Sequence, residues 1–310
     1  MHDHRPCIAG AGISCLDYIV TSPQVPWGDT ALVSGFAVQG GGLVATAMVA
    51  CARLGAECRL FSLLGDDQVA DIVIAEFEAE GVGVDGVVRI AGGESPFSFI
   101  HVDDKSGERT IFHRSGASLG DRSPSIDLSS VASCSATLID DIYPRLALAT
   151  ARKSREHGVP VVADLVPNET NTQLLEFTDV LIAPRHYARD IGFDDQPEKA
   201  LDAIHELGPK TAVVTLGSEG WVFSDPHGRG SGSAYKVDVV DTTGAGDTFH
   251  GAFAYALARG WDTRRCCDFA SAVAGIKCTK PGGRTGLPSL DETLEFLKTN
   301  NPADWAEFEA

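Results

Sequence analysis

Cationic side chains are scarce in this sequence. Lysine and arginine number 25 against 43 aspartates and glutamates, a formal net charge of −18. Holding a polyanionic nucleic acid needs a basic footprint, so that partner is excluded for the surface as a whole. A phosphorylated small molecule is not, because a few backbone donors and local cations suffice. Long apolar runs are lacking too. Each is cut by glycine or charge well short of the roughly 20 residues that span a bilayer, so no membrane partner is expected. Met1-His2-Asp3-His4-Arg5 leads into a strand-like segment without a cleavage context, and no secretory leader is expected. The eight cysteines show neither zinc spacing nor a CxxC pair. They read as small buried residues in a reducing compartment, which makes the cytoplasm the expected location. Internal repeats and long linkers are missing as well. The 310 residues suit one large α/β domain, 1–310, with a small appendage.

What is present is an alternation of strands and helices. Strands are expected at 6–12, 58–63, 136–139, 161–163, 180–182 and 212–216, with an edge strand at 221–223. Helices are expected at 43–54, 69–80, 145–157, 197–207, 263 to about 279, and 290–297. This rhythm predicts a mostly parallel, doubly wound α/β sheet, which binds ligands past the carboxyl ends of its strands. The texture changes between 84 and 114, where short alternating segments follow one another without helices. With the extended stretches near 17–18 and 31–37 they predict a small antiparallel β lid, made of segments about 14–38 and 87–114. Its hairpin loop falls at 103–107. Phe97, Phe99 and Ile111 on one side of that lid predict a homodimer with lids packed together.

The stretch that organises the chain is Asp241-Thr242-Thr243-Gly244-Ala245-Gly246-Asp247-Thr248-Phe249-His250-Gly251-Ala252-Phe253. A strand is expected before it at 235–240, and a small-residue helix continues it through 258. Gly244 and Gly246 let the backbone bend where a side chain would obstruct a ligand. Residues 246–249 would open the helix, so their unpaired N–H groups point outward as an anion hole. Asp247 beside it is badly placed to hold a phosphate. It is well placed to take a proton from a hydroxyl attacking a phosphoryl group. Taken alone, the same spacing also reads as a tight turn with an aspartate helix cap.

The full string resembles the signature of the ribokinase-like (pfkB) carbohydrate kinases, and the resemblance covers nearly the whole chain. It implies an ATP-dependent sugar kinase that moves the γ-phosphoryl group to a primary hydroxyl of a sugar or keto-sugar. Gly244, Ala245 and Gly246 would hold the phosphoryl group, and Asp247 would be the catalytic base. Asp17 would bind sugar hydroxyls. Gly41-Gly42-Leu43-Val44-Ala45-Thr46 resembles the early sugar motif, with Thr46 where the family has asparagine. On the nucleotide side the resemblance points to Gly217, Thr243, Gly246, Ser271 and Gly275, with Lys280 and Arg284 reaching the phosphates. It also implies a monovalent cation, K⁺, enclosed mostly by backbone carbonyls of Asp241, Thr243, Lys277, Lys280, Gly282 and Gly286. The family's Asn-x-x-Glu, linked to Mg²⁺ through water, is missing after the strand near 182; its fourth position holds His186. Mg²⁺ would be held chiefly by ATP and water, with Asp164 or Glu169 as substitutes.

The strings VDVVDTTGAGDTFHGAF, KCTKPGGRTGLP and GGLVATAMVACARLGA look closest to the sulfofructose kinase branch. The positions that bind sulfonate there fall here on Thr30, His113 and Tyr143, so two cations and an amide are gone and a sulfonate is disfavoured. The implied sugar pocket is Asp17, Gly41, Gly42, Thr46, His113, Arg114, Tyr143 and Asp247, with Phe97, Phe99, Phe112 and Tyr143 on its apolar side. A nucleoside kinase, or a sugar or nucleotide sensor without turnover, remains as an alternative. A dinucleotide dehydrogenase is weaker, since the first strand lacks a complete G-x-G-x-x-G.

Overall fold

The structure, a computed structural model, describes residues 5–105, 109–116, 119–120, 126–193, 196–301 and 308. Nine strands form one sheet. They are β1 (Cys7–Ala11), β4 (Glu57–Gly65), β5 (Val82–Ile90), β8 (Ala136–Asp140), β9 (Val161–Asp164), β10 (Val180–Pro184), β11 (Thr211–Thr215), β12 (Trp221–Asp225) and β13 (Gly228–Gly232), in the order β13-β12-β11-β10-β9-β8-β1-β4-β5. From β5 to β11 every neighbouring pair is parallel; β12 and β13 add an antiparallel edge. Helices cover both faces: α1 (Leu43–Arg53), α2 (Gln68–Ala79), α3 (Pro144–Glu156), α4 (Thr172–Leu175), α5 (Arg185–Asp190), α6 (Pro197–Glu206), α7 (Ala245–Ala258), α8 (Thr263–Lys277) and α9 (Leu290–Asn300).

Alternate residues of each strand feed different cores. Ile8 and Val213 join Met48, Phe253 and Phe269 on one face. Ala9 and Val214 join Leu146, Leu201 and Ala188 on the other. Strands buried on both faces must be apolar throughout, which is why they read as continuous runs. Each fully buried Leu, Ile or Phe contributes about 1.5–3 kcal/mol. All eight cysteines are buried free thiols. Among the described residues no helix is long and apolar enough to cross a membrane.

A second sheet, in the order β3-β2-β6-β7, consists of β2 (Cys15–Ser22), β3 (Gly35–Gly41), β6 (Phe97–Asp103) and β7 (Arg109–Arg114). It is mixed: β2 pairs parallel with β6 and antiparallel with β3, and β6 pairs antiparallel with β7. Three expectations need correction. Residues 87–90 do not begin the lid; they end β5, parallel to β4 in the large sheet. Residues 235–240 are irregular rather than a strand, with Val239 and Val240 exposed. An apolar alternation shows that a segment fits a sheet, not that a free edge awaits it, and β13 already closes this one. The lid's register also separates the residues expected on one side. Phe99 pairs with Phe112 in one row, and Ile111 pairs with Ile100 in the next, so Ile111 faces the opposite way. Of the predicted hairpin loop at 103–107, residues 106 and 107 lie outside the described residues.

Candidate active site

The strand ends converge on the first turn of α7. Three helices here are closed at their N-termini by side chains: Asp67 accepts from the Ala70 amide at the start of α2, Asp262 from Arg265 at α8, and Ser289 forms a capping box with Glu292 at α9. Helix α7 has no such cap. Its N-cap is Gly244, in the left-handed region at φ 73°, which a side chain would strain. The Ala245 amide turns back to the Thr242 carbonyl at 3.1 Å, and the Thr248 amide takes the Gly244 carbonyl at 2.9 Å. Between them, among the described residues, the amides of Gly246 and Asp247 have no backbone acceptor. A side chain at Gly246 would point into open space. Two free donors at the positive end of a helix are what an anion would need there.

The Asp247 carboxyl belongs to the same turn. Burial pushes its pKa well above the usual carboxylate range, and the charges of Asp164 and Asp17 push it further, against the opposing pull of Arg284. Asp140 at the end of β8 is fully buried. It accepts from the Ile13 amide at 2.8 Å and the Ile142 amide at 3.1 Å, yet burial raises its pKa to about 7. Asp164 at the end of β9 is raised by burial and lies 3.4 Å from His250 Nδ1. His250, which sequence reasoning gave no role, faces the Gly246 carbonyl at 2.8 Å and the Ile182 carbonyl at 3.0 Å. It thereby ties the first turn of α7 to β10. Asp164 offers a hard oxygen of the kind Mg²⁺ prefers, but among the described residues no three acidic, histidine or cysteine side chains gather as a metal centre. Glu169 lies on the exposed segment after β9, and His186 is exposed on α5.

The lid supplies the other wall. Gln39, Asp17, Ser98 and His113 are paired across four strands and form one row. Their shared face looks into the cleft, since Arg109, on the same side of β7 as His113, reaches the Thr242 hydroxyl. Asp17 is buried, which raises its pKa. Ser98 and Cys15 hydrogen-bond to it, and with Arg284 and His113 they oppose the rise. His113 Nδ1 lies 3.2 Å from Ser98 Oγ. The Asp17 carboxylate lies flat on Gly41, where a Cβ would come within 2.2 Å of it. Gly42 then turns the chain into α1. Two residues missed in the sequence complete this wall. Gln39 Nε2 is buried without a hydrogen-bond partner among the described residues and lies against Gly282. Arg109 Nη1 reaches the Thr242 hydroxyl at 3.1 Å, bridging lid and phosphate turn. Neither residue stands in a motif, so only the three-dimensional pairing reveals them.

Several expected contacts are redirected. Arg284 does not project towards phosphates. It is buried, with Nη1 on Glu76 at 3.1 Å, Nη2 on the Gly41 carbonyl at 3.1 Å and Nε 3.4 Å from Thr46 Oγ1, and its guanidinium lies over Phe77. It braces the sugar-side glycine turn, and Glu76 also takes the Gly40 amide. Tyr143 is in the core, its hydroxyl donated to the Leu63 carbonyl at 3.1 Å, so it does not line the pocket. Arg114 faces away from the cleft, paired with Glu94 and set over Phe97. Phe97, Phe99 and Phe112 share that outer side and cannot shape the pocket. Lys280 is exposed on the rim. Gly217 begins the turn after β11 at φ 62°, facing open space. Ser271 is buried on α8, and one helical turn on, Gly275 packs against Val237 and Tyr235.

The loop 279–286 is stapled to the phosphate turn. The Asp241 carboxylate accepts from the Thr243 amide at 2.8 Å and the Gly282 amide at 2.7 Å. Gly286 packs on the Lys277 backbone. The expected K⁺ cradle does not fit a free ion: Lys277 is fully buried and its Nζ donates to the Asp241 carbonyl at 2.9 Å.

Known proteins carry the same architecture. The chain is 28% identical over 293 residues to the ribokinase of Haemophilus influenzae, covering 91% of this chain and 95% of that protein. It is 29% identical over 297 residues to the ribokinase of Bacillus subtilis, covering 94% and 98%. The solved structure of Arabidopsis thaliana ribokinase complexed with ribose and ATP matches with a TM-score of 0.84 at 26% identity, over 95% of this chain and 99% of that one. None of these relatives points to the sulfofructose kinase branch. The family model described as pfkB family carbohydrate kinase matches residues 8–290. With that match spanning nearly the whole sheet, the lid and the phosphate turn, the chain belongs to the pfkB family of carbohydrate kinases.

Proposed function

We propose that this kinase transfers the γ-phosphoryl group of ATP to a primary hydroxyl of a neutral sugar or keto-sugar. The observation that carries the proposal is the uncapped start of α7, with two free amides beside the Asp247 carboxylate and across from Asp17. Asp17 and its row orient the sugar hydroxyls. The raised affinity of Asp247 for protons makes its carboxylate the base for the attacking hydroxyl. The hydroxyl oxygen bonds to the γ-phosphorus in line, the bond to the β-phosphate oxygen breaks, and ADP leaves. The amides of Gly246 and Asp247 meet the charge on the transferring group. Mg²⁺, brought by ATP, would neutralise charge on the phosphates, and Asp164 would be the carboxylate placed to face it. Gly217, Ser271, Gly275 and Thr243 border the nucleotide on the far side.

The lid row favours a polyhydroxy acceptor. Its cleft face presents an amide, a carboxylate, a hydroxyl and an imidazole, which suit hydroxyls better than a flat nucleobase. At the positions that would bind a sulfonate no cation faces the cleft, with Arg114 turned outward and Thr30 exposed. The outer lid face, with Phe36 65% exposed and Phe99 50% exposed beside Val38 and Phe112, suits packing against a second copy of the lid. A screen of ketoses, aldoses, sugar acids and nucleosides for acceptor-dependent ATP consumption tests the proposal. Consumption with a neutral sugar is expected; consumption with nucleosides alone would overturn the acceptor class.

A further inference from the structure

We infer that Lys277 supplies, as a tethered ammonium, the positive charge that a free K⁺ would bring to the phosphate turn, so that this kinase works without a monovalent cation. The inference rests on the kinase reading only for what the turn is used for; the geometry stands by itself. A K⁺ ion between the 241–243 turn and the 277–286 loop would have to be held by carbonyl oxygens converging from both sides. Here the Asp241 carbonyl already accepts from Lys277 Nζ at 2.9 Å. The side chain is 0% exposed, on the last turn of α8. A buried ammonium is costly unless paired, so its retention among carbonyls and carboxylates marks a position that wants a cation. Burial lowers its pKa, while Cys278, Asp241 and Asp247 oppose that shift and Arg109 adds to it.

The surrounding groups are spent accordingly. The Cys278 carbonyl accepts both the Val240 amide at 2.8 Å and the Asp241 amide at 3.1 Å. The Asp241 carboxylate bridges the Thr243 and Gly282 amides across the two segments. From the far side Arg53 holds the loop through the Arg284 carbonyl at 3.1 Å and the Leu287 carbonyl at 2.9 Å. The order that a bound ion would impose on carbonyls that otherwise repel is therefore built from side chains of this chain. A lysine suits the task as a compact point charge, where a guanidinium fork would be too large.

The test compares the full-length protein in KCl and in tetramethylammonium chloride at matched ionic strength. Two readouts are taken: the melting temperature without ligand, and the affinity for a non-hydrolysable ATP analogue with Mg²⁺ by calorimetry. For the wild type, no K⁺-specific rise in melting temperature is expected, and the affinities should agree within about twofold. Lys277→Ala should lose about tenfold in affinity in tetramethylammonium and recover most of it in KCl, with a K⁺-specific rise in melting temperature. Lys277→Met, which fills the space without charge, should lose affinity in both salts. A wild type whose affinity rises about tenfold with K⁺, or whose melting temperature rises only with K⁺, would overturn the inference. So would a Lys277→Ala protein indistinguishable from wild type without K⁺. The wild-type arm decides the matter even if the variants fail to fold. Failure of the analogue to bind in either salt would count against the kinase reading alone, since melting needs no nucleotide.

Discussion

The two walls of the cleft are built on different principles. The phosphate wall is one short turn, 241–250, with the loop 279–286 stapled to it, and it presents backbone amides at a helix start without a side-chain cap. The lid wall is made of side chains from four strands, lined up only by register: Gln39, Asp17, Ser98 and His113. A backbone site is fixed by where glycine must stand. A side-chain site is fixed by which strands pair. The first tolerates little substitution, and the second can be retuned one residue at a time, which suits one chemistry applied to different sugars.

Substitutions on the phosphate wall should therefore strike turnover, and those on the lid should strike acceptor affinity. The largest effect is expected from Asp247→Asn, with kcat about a thousandfold lower and nucleotide affinity within about twofold, measured by coupled assay and calorimetry. Wild-type turnover should rise with pH as the Asp247 carboxyl loses its proton, and the residual activity of the variant should not follow it. Next comes Gly246→Ala, whose added methyl enters open space at the anion hole. It should cost about a hundredfold in kcat with little change in melting temperature, whereas Gly244→Ala should lose both, because its Cβ would come within 2.9 Å of the Gly283 carbonyl. Equal melting temperatures for the two variants would break the distinction. On the lid, Asp17→Asn should raise the sugar KM about tenfold and leave nucleotide affinity unchanged. An effect on nucleotide alone would erase the contrast between the walls.

Asp140 gives a smaller, pH-dependent effect. Its folded pKa of about 7 lies above the unfolded value, so its contribution to stability is full below the ordinary carboxylate range and is lost as pH rises through about 7. Asp140→Asn removes that loss. The variant's urea midpoint should gain on that of the wild type between about pH 4 and about pH 8, and parallel curves would contradict the buried, raised carboxyl. The slightest effect on chemistry is expected from Phe99→Glu on the outer lid face. It should turn a dimer into a monomer by light scattering at micromolar concentration; a wild type already monomeric would remove that interface.

The same contrast explains what could be read in advance. The glycine turn into α7 and the doubly wound sheet were legible because local spacing and continuous apolar strands dictate them. The strand expected at 235–240 was not, since nothing in its own residues reports that β13 has taken the edge. Arg284 lies in a glycine-rich loop like a phosphate ligand, yet Glu76, distant in sequence, draws it to the Gly41 turn. Tyr143 was expected in the pocket and is claimed by the Leu63 carbonyl. Gln39 and Arg109 carry no motif at all. Each miss is a side chain whose partner lies in another element, which is the kind of information that a one-dimensional pattern does not hold.

The most direct test of the account follows the phosphoryl group itself. With γ-labelled ATP, Mg²⁺ and a neutral sugar that supports consumption, the label should appear on the sugar, ADP should form only when the sugar is present, and Asp247→Asn should slow both about a thousandfold. Label released as free phosphate irrespective of sugar, or transferred equally well by the variant, would contradict direct transfer at the start of α7.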